Sequence, residues 1–171
     1  ADLRTWTPPN RPIAFVFAWP PCDHLAVSGA RWFRGKGLRA LALSIELFAV
    51  AAEVCEASGA PYMIENPVST ISTYWREPDF MFDPASYALF ADDADTEAYT
   101  KRTCLWTGGG FVMPDHAGVD PVLGSVMHRV PPGPDRKNIR SATPTGFARA
   151  VFAANSTGER PNAPLAQKGP S

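Results

Sequence analysis

The sequence predicts an α/β fold, with helices on the faces of an open sheet, on three observations. Residues 12–19 form an apolar run rich in β-branched and aromatic side chains, which reads as a buried strand. Residues 38–57 carry apolar side chains at helical spacing, and residues 61–65 (PYMIE) read as a second short strand. Strand, helix, strand is a βαβ unit, and such crossovers are nearly always right-handed with parallel strands. Both strands then end at one edge of the sheet, where open α/β sheets place their ligands.

The first strand stops at Pro20-Pro21 and Cys22 follows at once, so a thiol sits on a stiff turn at the carboxyl edge. The next segment holds Gly29, Gly35 and Gly37 with Arg31, Arg34, Lys36 and Arg39. It reads either as a solvated loop or as a phosphate contact, and Trp32 and Phe33 among those charges suit a loop that closes on a ligand. In the helix, Leu38, Leu41, Ile45, Phe48, Ala52 and Cys55 recur every three or four residues, and Leu43, Leu47, Val50 and Val54 widen the stripe. That predicts a largely buried helix, ended by Ser58-Gly59, with Cys55 as core.

The second strand stops at Asn66-Pro67, which leaves Glu65-Asn66 at the edge that carries Cys22. Residues 68–83 read as irregular, with Tyr74, Trp75 and Phe80 as packing anchors, and residues 87–90 as a short strand. Residues 91–97 (ADDADTE) read as an exposed acidic loop that lacks the Gly and terminal Glu of a calcium loop. Residues 101–107 (KRTCLWT) read as a strand, residues 108–114 as a turn and residues 115–138 as loop. Thr143 then caps a last helix with Pro144 in its first turn, running to about Asn155 with Phe147, Val151 and Ala154 on one side. Residues 1–11 read as a strand end and a Pro-rich turn. One domain over residues 1–155 is expected, followed by a disordered tail over residues 156–171.

The 171 residues are enough for a real core, and a hydrophobic content of 45% is ordinary for a globular protein. A net charge of -1 carries no general signal for nucleic acid, so DNA contact would need a local basic patch. Three cysteines without paired spacing predict a reducing compartment rather than a disulfide framework. No apolar run reaches membrane length and no signal peptide is evident, so a cytoplasmic protein with no membrane partner is expected.

Taken singly, Cys22 reads as a packed turn residue and Glu65 as a cap on a neighbouring helix. Delivered together to one edge, they allow chemistry. A thiol hydrolase would need a histidine beside Cys22, and His24, His116 and His128 are the candidates. A zinc site is disfavoured because Cys22-Asp23-His24 has neither the usual ligand spacing nor a second cysteine pair, and no metal is expected. The third reading is attack on a pyrimidine: a thiolate adds to carbon 6 of cytosine, carbon 5 becomes nucleophilic, and a buried carboxyl protonates or hydrogen-bonds ring nitrogen 3.

Pro20-Pro21-Cys22 after an apolar strand, with Ser28-Gly29 following, resembles the nucleophile motif of DNA cytosine-5 methyltransferases. Glu65-Asn66 resembles their Glu-Asn-Val motif with Pro67 in place of Val. Residues 101–106 are similar to the family's motif of alternating arginines in its phage-like form, and residues 140–144 to the entry of its last motif. The resemblance implies Cys22 as nucleophile on a cytosine flipped from DNA, Glu65 on ring nitrogen 3 and the exocyclic amine, Asn66 as a brace for the loop, and Arg102 positioning the loop or the base. It implies S-adenosylmethionine as cofactor, with Asp2, Pro21 and Ser141 lining its pocket, and a bacterial or phage-infected cell as the setting.

Three departures from that pattern are visible. Asp23 follows the nucleophile where the family has Gln, and a carboxylate there disfavours a thiolate. Cys104 stands where the second arginine belongs. The Gly-rich loop and the acidic ribose-binding residue of the family belong ahead of Asp2. The expectation is therefore a partial Rossmann-like methyltransferase sheet with the first βαβ segment missing. A second chain or a homodimer partner would complete the cofactor site. The alternative is a non-catalytic, truncated methyltransferase-fold module that binds DNA or protein.

Overall fold

The computed structural model describes residues 3–5 and 11–156. Asp2, the turn expected over the first residues and nearly all of the expected tail lie outside them. Six strands and five α-helices follow in order: β1 (Val16–Ala18), α1 (Phe33–Lys36), α2 (Leu38–Ala57), β2 (Tyr62–Pro67), α3 (Ile71–Tyr74), β3 (Phe80–Phe82), β4 (Tyr99–Thr100), β5 (Thr103–Gly108), β6 (Gly124–Ser125), α4 (Arg136–Ser141) and α5 (Thr145–Ser156). The main sheet has four strands in the order β1-β2-β5-β3, and β4 and β6 form a separate parallel pair.

β1 and β2 pair in parallel, Ala18 opposite Ile64, so the expected βαβ crossover through α2 is present. The other half of the sheet is not parallel. β5 runs antiparallel to β2 from Tyr62↔Gly108 to Pro67↔Thr103, and β3 runs antiparallel to β5. The result is a mixed α/β fold on a mixed sheet. β2 is longer than its apolar run because Glu65, Asn66 and Pro67 continue the ladder opposite Leu105, Cys104 and Thr103. β1 is shorter than its apolar run, and among the described residues β2 is its one neighbour in the sheet.

Strand alternation assigns the two faces. One face gathers Tyr62, Ile64, Cys104 and Trp106 against Phe48, Ala52 and Cys55 of α2 and against Leu25 and Ile71. The other gathers Met63, Leu105 and Phe82 against Tyr87 and against Phe147, Ala150 and Val151 of α5. Phe82 stacks on Phe147 with ring centroids 3.8 Å apart, and each such ring, fully buried, contributes on the order of 2–3 kcal/mol.

Several expectations are corrected. α2 is buried along one stripe only, and Leu38 is 84% exposed at its start. Residues 87–90 end a 3-10 helix, Pro84–Phe90, because Pro84 at its first position and the i→i+3 pattern suit a tight helix rather than a ladder. Of the expected anchors, Trp75 packs edge-on to Phe48 and Phe80 against Phe111, each from a partly exposed position, while Tyr74 is 59% exposed; the fully buried anchors nearby are Phe82 and Trp106. The expected loop over residues 115–138 contains β6 and the start of α4. Gly109, at φ +62°, turns the chain so tightly that a Cβ would lie 2.0 Å from the Ala60 carbonyl oxygen.

The acidic segment is not wholly exposed either. Glu97 is buried, and its two carboxylate oxygens accept from the Thr145 and Gly146 backbone N–H groups at 2.6 and 3.0 Å. A carboxylate brought from a distant segment therefore caps α5, the place expected for Thr143, and its charge suits the positive end of the helix. Glu97→Ala is expected to lower the unfolding free energy by about 2 kcal/mol, since it leaves two N–H groups without their partner. Urea titration checks this, and a change below about 0.5 kcal/mol would show that the cap is dispensable.

Candidate functional site

The carboxyl ends of β1 and β2 meet at one rim, as the parallel pairing requires. After β1 the chain turns at Cys22, whose carbonyl accepts from Leu25 and Ala26 N–H at 3.0 Å each. The turn is pinned to the segment after β2: Val27 N–H donates to Val68, and Thr70 N–H donates to Leu25, each at 3.0 Å. Asn66 fastens it from beneath, its Nδ2 donating to the buried Pro20 carbonyl at 3.0 Å. Pro20 cannot carry a cross-strand N–H bond, so this carbonyl is the group by which the turn is held.

Glu65 is 8% exposed and sits one residue before Asn66 in β2, so the pleat sends it to the opposite face. Burial pushes its carboxyl up from the ordinary 4.5, against a weaker downward pull from Lys101. The Cys22 thiol is likewise pushed up from 9.0, first by burial, then by Asp23 and, more weakly, by Glu65, while Lys137 pulls it down. Thiol and carboxyl thus feel each other, as their delivery to a common edge implies.

Cationic groups surround them. Lys137 of α4 reaches Asp23 at 2.7 Å, so the carboxylate beside the thiol is paired. Lys36 Nζ donates to the Asp23 backbone carbonyl. Lys101, just ahead of β5, and Glu65 act on each other's charge: the ammonium pulls the carboxyl down and the carboxylate raises the Lys101 pKa, in each case against burial. Its Nζ donates to the Ala142 carbonyl at 2.8 Å. The sequence singles out Arg102, whereas Lys101 is the cation that acts on Glu65; which of two neighbouring cations does so depends on how the chain enters β5, a non-local feature with no signal in the sequence.

Arg102 pairs instead with Asp83 at 3.3 Å and is largely exposed. Pro21 and Ser141 are both exposed, and Ser141 Oγ donates to the Asn138 carbonyl at 3.2 Å. These two do not by themselves form a cradle for a nucleoside cofactor, and Asp2 lies outside the described residues. No hydrogen bond joins Cys22 to a histidine among the described residues. His116 lies edge-on to Tyr87, and His24 Nδ1 is buried without a hydrogen-bond partner.

Two surface features flank the rim. A cleft of about 350 Å³ is lined by His24, Phe33, Arg34, Lys36, Leu38 and Leu41, in the glycine- and arginine-rich segment after the thiol. On β1, Phe15 stacks on Phe17 and Phe17 on Trp19, with centroids 4.3 and 5.7 Å apart. Phe17 and Trp19 are 42% and 52% exposed. This aromatic ladder lies along the outer edge of the sheet.

No family model, curated protein or solved structure matches the chain.

Because the folded protein holds the Glu65 proton more tightly than the unfolded chain, ionised Glu65 costs stability above its folded pKa, and the cost disappears below about pH 4.5. Glu65→Gln is therefore expected to be more stable than the parent near pH 8, with the difference closing as pH falls below about 4.5. Urea midpoints across pH check the sign, and a variant less stable than the parent near pH 8 would refute it.

Proposed function

We propose that the chain is a DNA cytosine-5 methyltransferase-like protein of Rossmann-like type. In this reading it transfers a methyl or related one-carbon group to carbon 5 of a cytosine flipped out of DNA. The observation that carries the reading is a thiol on the turn after β1 and a buried carboxyl, raised in pKa by that burial, on the adjacent parallel strand β2. Cys22 Sγ, as thiolate, forms a bond to carbon 6. The ring's electrons move towards nitrogen 3, which takes the Glu65 proton, and the enamine that results makes carbon 5 nucleophilic. After transfer, loss of the carbon 5 proton and of the sulfur restores the aromatic ring and the free thiol.

Asn66 would hold the turn while the base enters, and Arg34 and Lys36 in the neighbouring cleft suit backbone phosphates. The donor by resemblance is S-adenosylmethionine, which supplies an electrophilic methyl group when bound. Pro21 and Ser141 make an incomplete cradle, so a second chain or a second copy of this one completes the pocket. The edge of β1, which no other described strand covers, and the aromatic ladder beside it suit that role. Such a protein works in the cytoplasm of a bacterial or phage-infected cell.

A specific observation favours a second reading, a non-catalytic module that binds DNA or protein. Burial and Asp23 both oppose the thiolate, and the cradle is incomplete. The two readings part on covalent chemistry. Duplex DNA with 5-fluorocytosine at its target sites, incubated with the chain and S-adenosylmethionine, is expected to give a denaturant-resistant adduct. Fluorine cannot leave as a proton does, so the adduct persists. Cys22→Ser is expected to abolish it. Absence of any adduct from the parent chain, with the donor and a cell extract of the source supplied, would leave only the binding module.

A further inference from the structure

Positive charge is not spread evenly over this chain. Two short helices bring it to the Cys22 turn, and both hold the same residue there. Lys36, at the end of α1, donates from Nζ to the Asp23 backbone carbonyl, and Lys137 of α4 reaches the Asp23 carboxylate at 2.7 Å. Asp23 directly follows Cys22. Residues 114 positions apart in sequence are thus joined beside the thiol. The far end of α4 is tied down as well, since the Ala142 carbonyl that follows it accepts from Lys101 Nζ at 2.8 Å.

The two lysines are committed to Asp23, but the arginines that flank them are not. Arg31, Arg34 and Arg39 lie in and around α1, and Arg129, Arg136 and Arg140 lie in and ahead of α4; all but the half-buried Arg136 are exposed. None of the six is in an ion pair among the described residues. Asp135 is the one acid within residues 31–39 and 129–140, in a chain whose net charge is -1. Crowded like charges raise the local potential, and a polyanion relieves it. Guanidinium forks match phosphate oxygens in pairs. Trp32, 60% exposed with the Arg31 guanidinium 5.0 Å from its ring centroid, adds a flat face of the kind on which bases stack. An acidic protein answers the charge but has no base for that face.

We propose that α1 and α4, with the residues flanking them, are two halves of one DNA-binding surface joined at Asp23, whose free arginines hold backbone phosphates while the Cys22 turn meets the target base. The surface rests on the reading of cytosine in DNA as the substrate. Phosphate contacts of this kind position a duplex and carry no sequence information. The surface therefore fixes where the polymer lies against the thiol and not which site along it is chosen.

The test is fluorescence polarisation of a labelled, cytosine-containing DNA duplex with the full chain, without donor, over a series of salt concentrations. Binding is expected to weaken steeply as salt rises, because each phosphate contact releases counterions. Arg34→Gln with Arg39→Gln, and separately Arg136→Gln with Arg140→Gln, are each expected to weaken binding roughly tenfold near physiological salt and to lower the slope of log affinity against log salt by about two. Trp32→Ala is expected to weaken binding with the slope unchanged, since stacking releases no counterion. Arg149→Gln, which removes a cation paired with Asp92 outside the surface, is expected to change neither. An unchanged slope in either arginine pair would overturn the proposal, as would an equal loss in Arg149→Gln. Polyglutamate or duplex RNA competing as well as unlabelled DNA would overturn the assignment to DNA. Salt-dependent binding without a 5-fluorocytosine adduct would tell against methyl transfer and leave the surface standing. An adduct formed equally well by both arginine-pair variants at low DNA concentration would do the reverse.

Discussion

Neighbouring side chains on a pleated strand cannot share a face, and β2 places that constraint at the rim. Asn66 goes to the α2 face and fastens the turn bearing Cys22 through the Pro20 carbonyl. Glu65, one residue earlier, goes to the face covered by α5, where burial raises its pKa. One strand end thereby does two separate jobs, holding the thiol's turn and supplying an acid. Neither survives a one-residue slip in register, because the slip would exchange the two side chains between faces. Six consecutive pairs with β5 fix that register.

Local periodicity made part of this legible. The 3.6-residue pattern marked α2 to the residue, since a long amphipathic stripe with Ser58-Gly59 after it leaves little freedom at the ends. The apolar runs located β1 and β2, and the handedness rule brought Cys22 and Glu65 to one edge. What stayed hidden was non-local. Nothing in KRTCLWT says that β5 runs against β2, and nothing there says that Lys101, and not Arg102, acts on Glu65. Glu97 looked like one more exposed carboxylate until a helix from far along the chain came to rest on it. Short strands such as β4 and β6 carry too few residues for a pattern at all.

The departures from the methyltransferase pattern acquire physical partners. Asp23, which opposes a thiolate, is paired with Lys137, whose pull on the thiol is weaker than the push from Asp23. That ion pair is exposed and contributes little stability, yet it ties α4 to the turn that carries Cys22. Cys104, standing where an arginine was expected, faces the α2 core next to Trp106, where a guanidinium would have no room for water.

The double proline after β1 has a bearing on whatever lies beside the open edge. A polypeptide adding itself to that edge could pair with the backbone of Val16–Ala18, but Pro20 and Pro21 have no amide hydrogen to offer. Any added ladder must stop there, short of the sulfur.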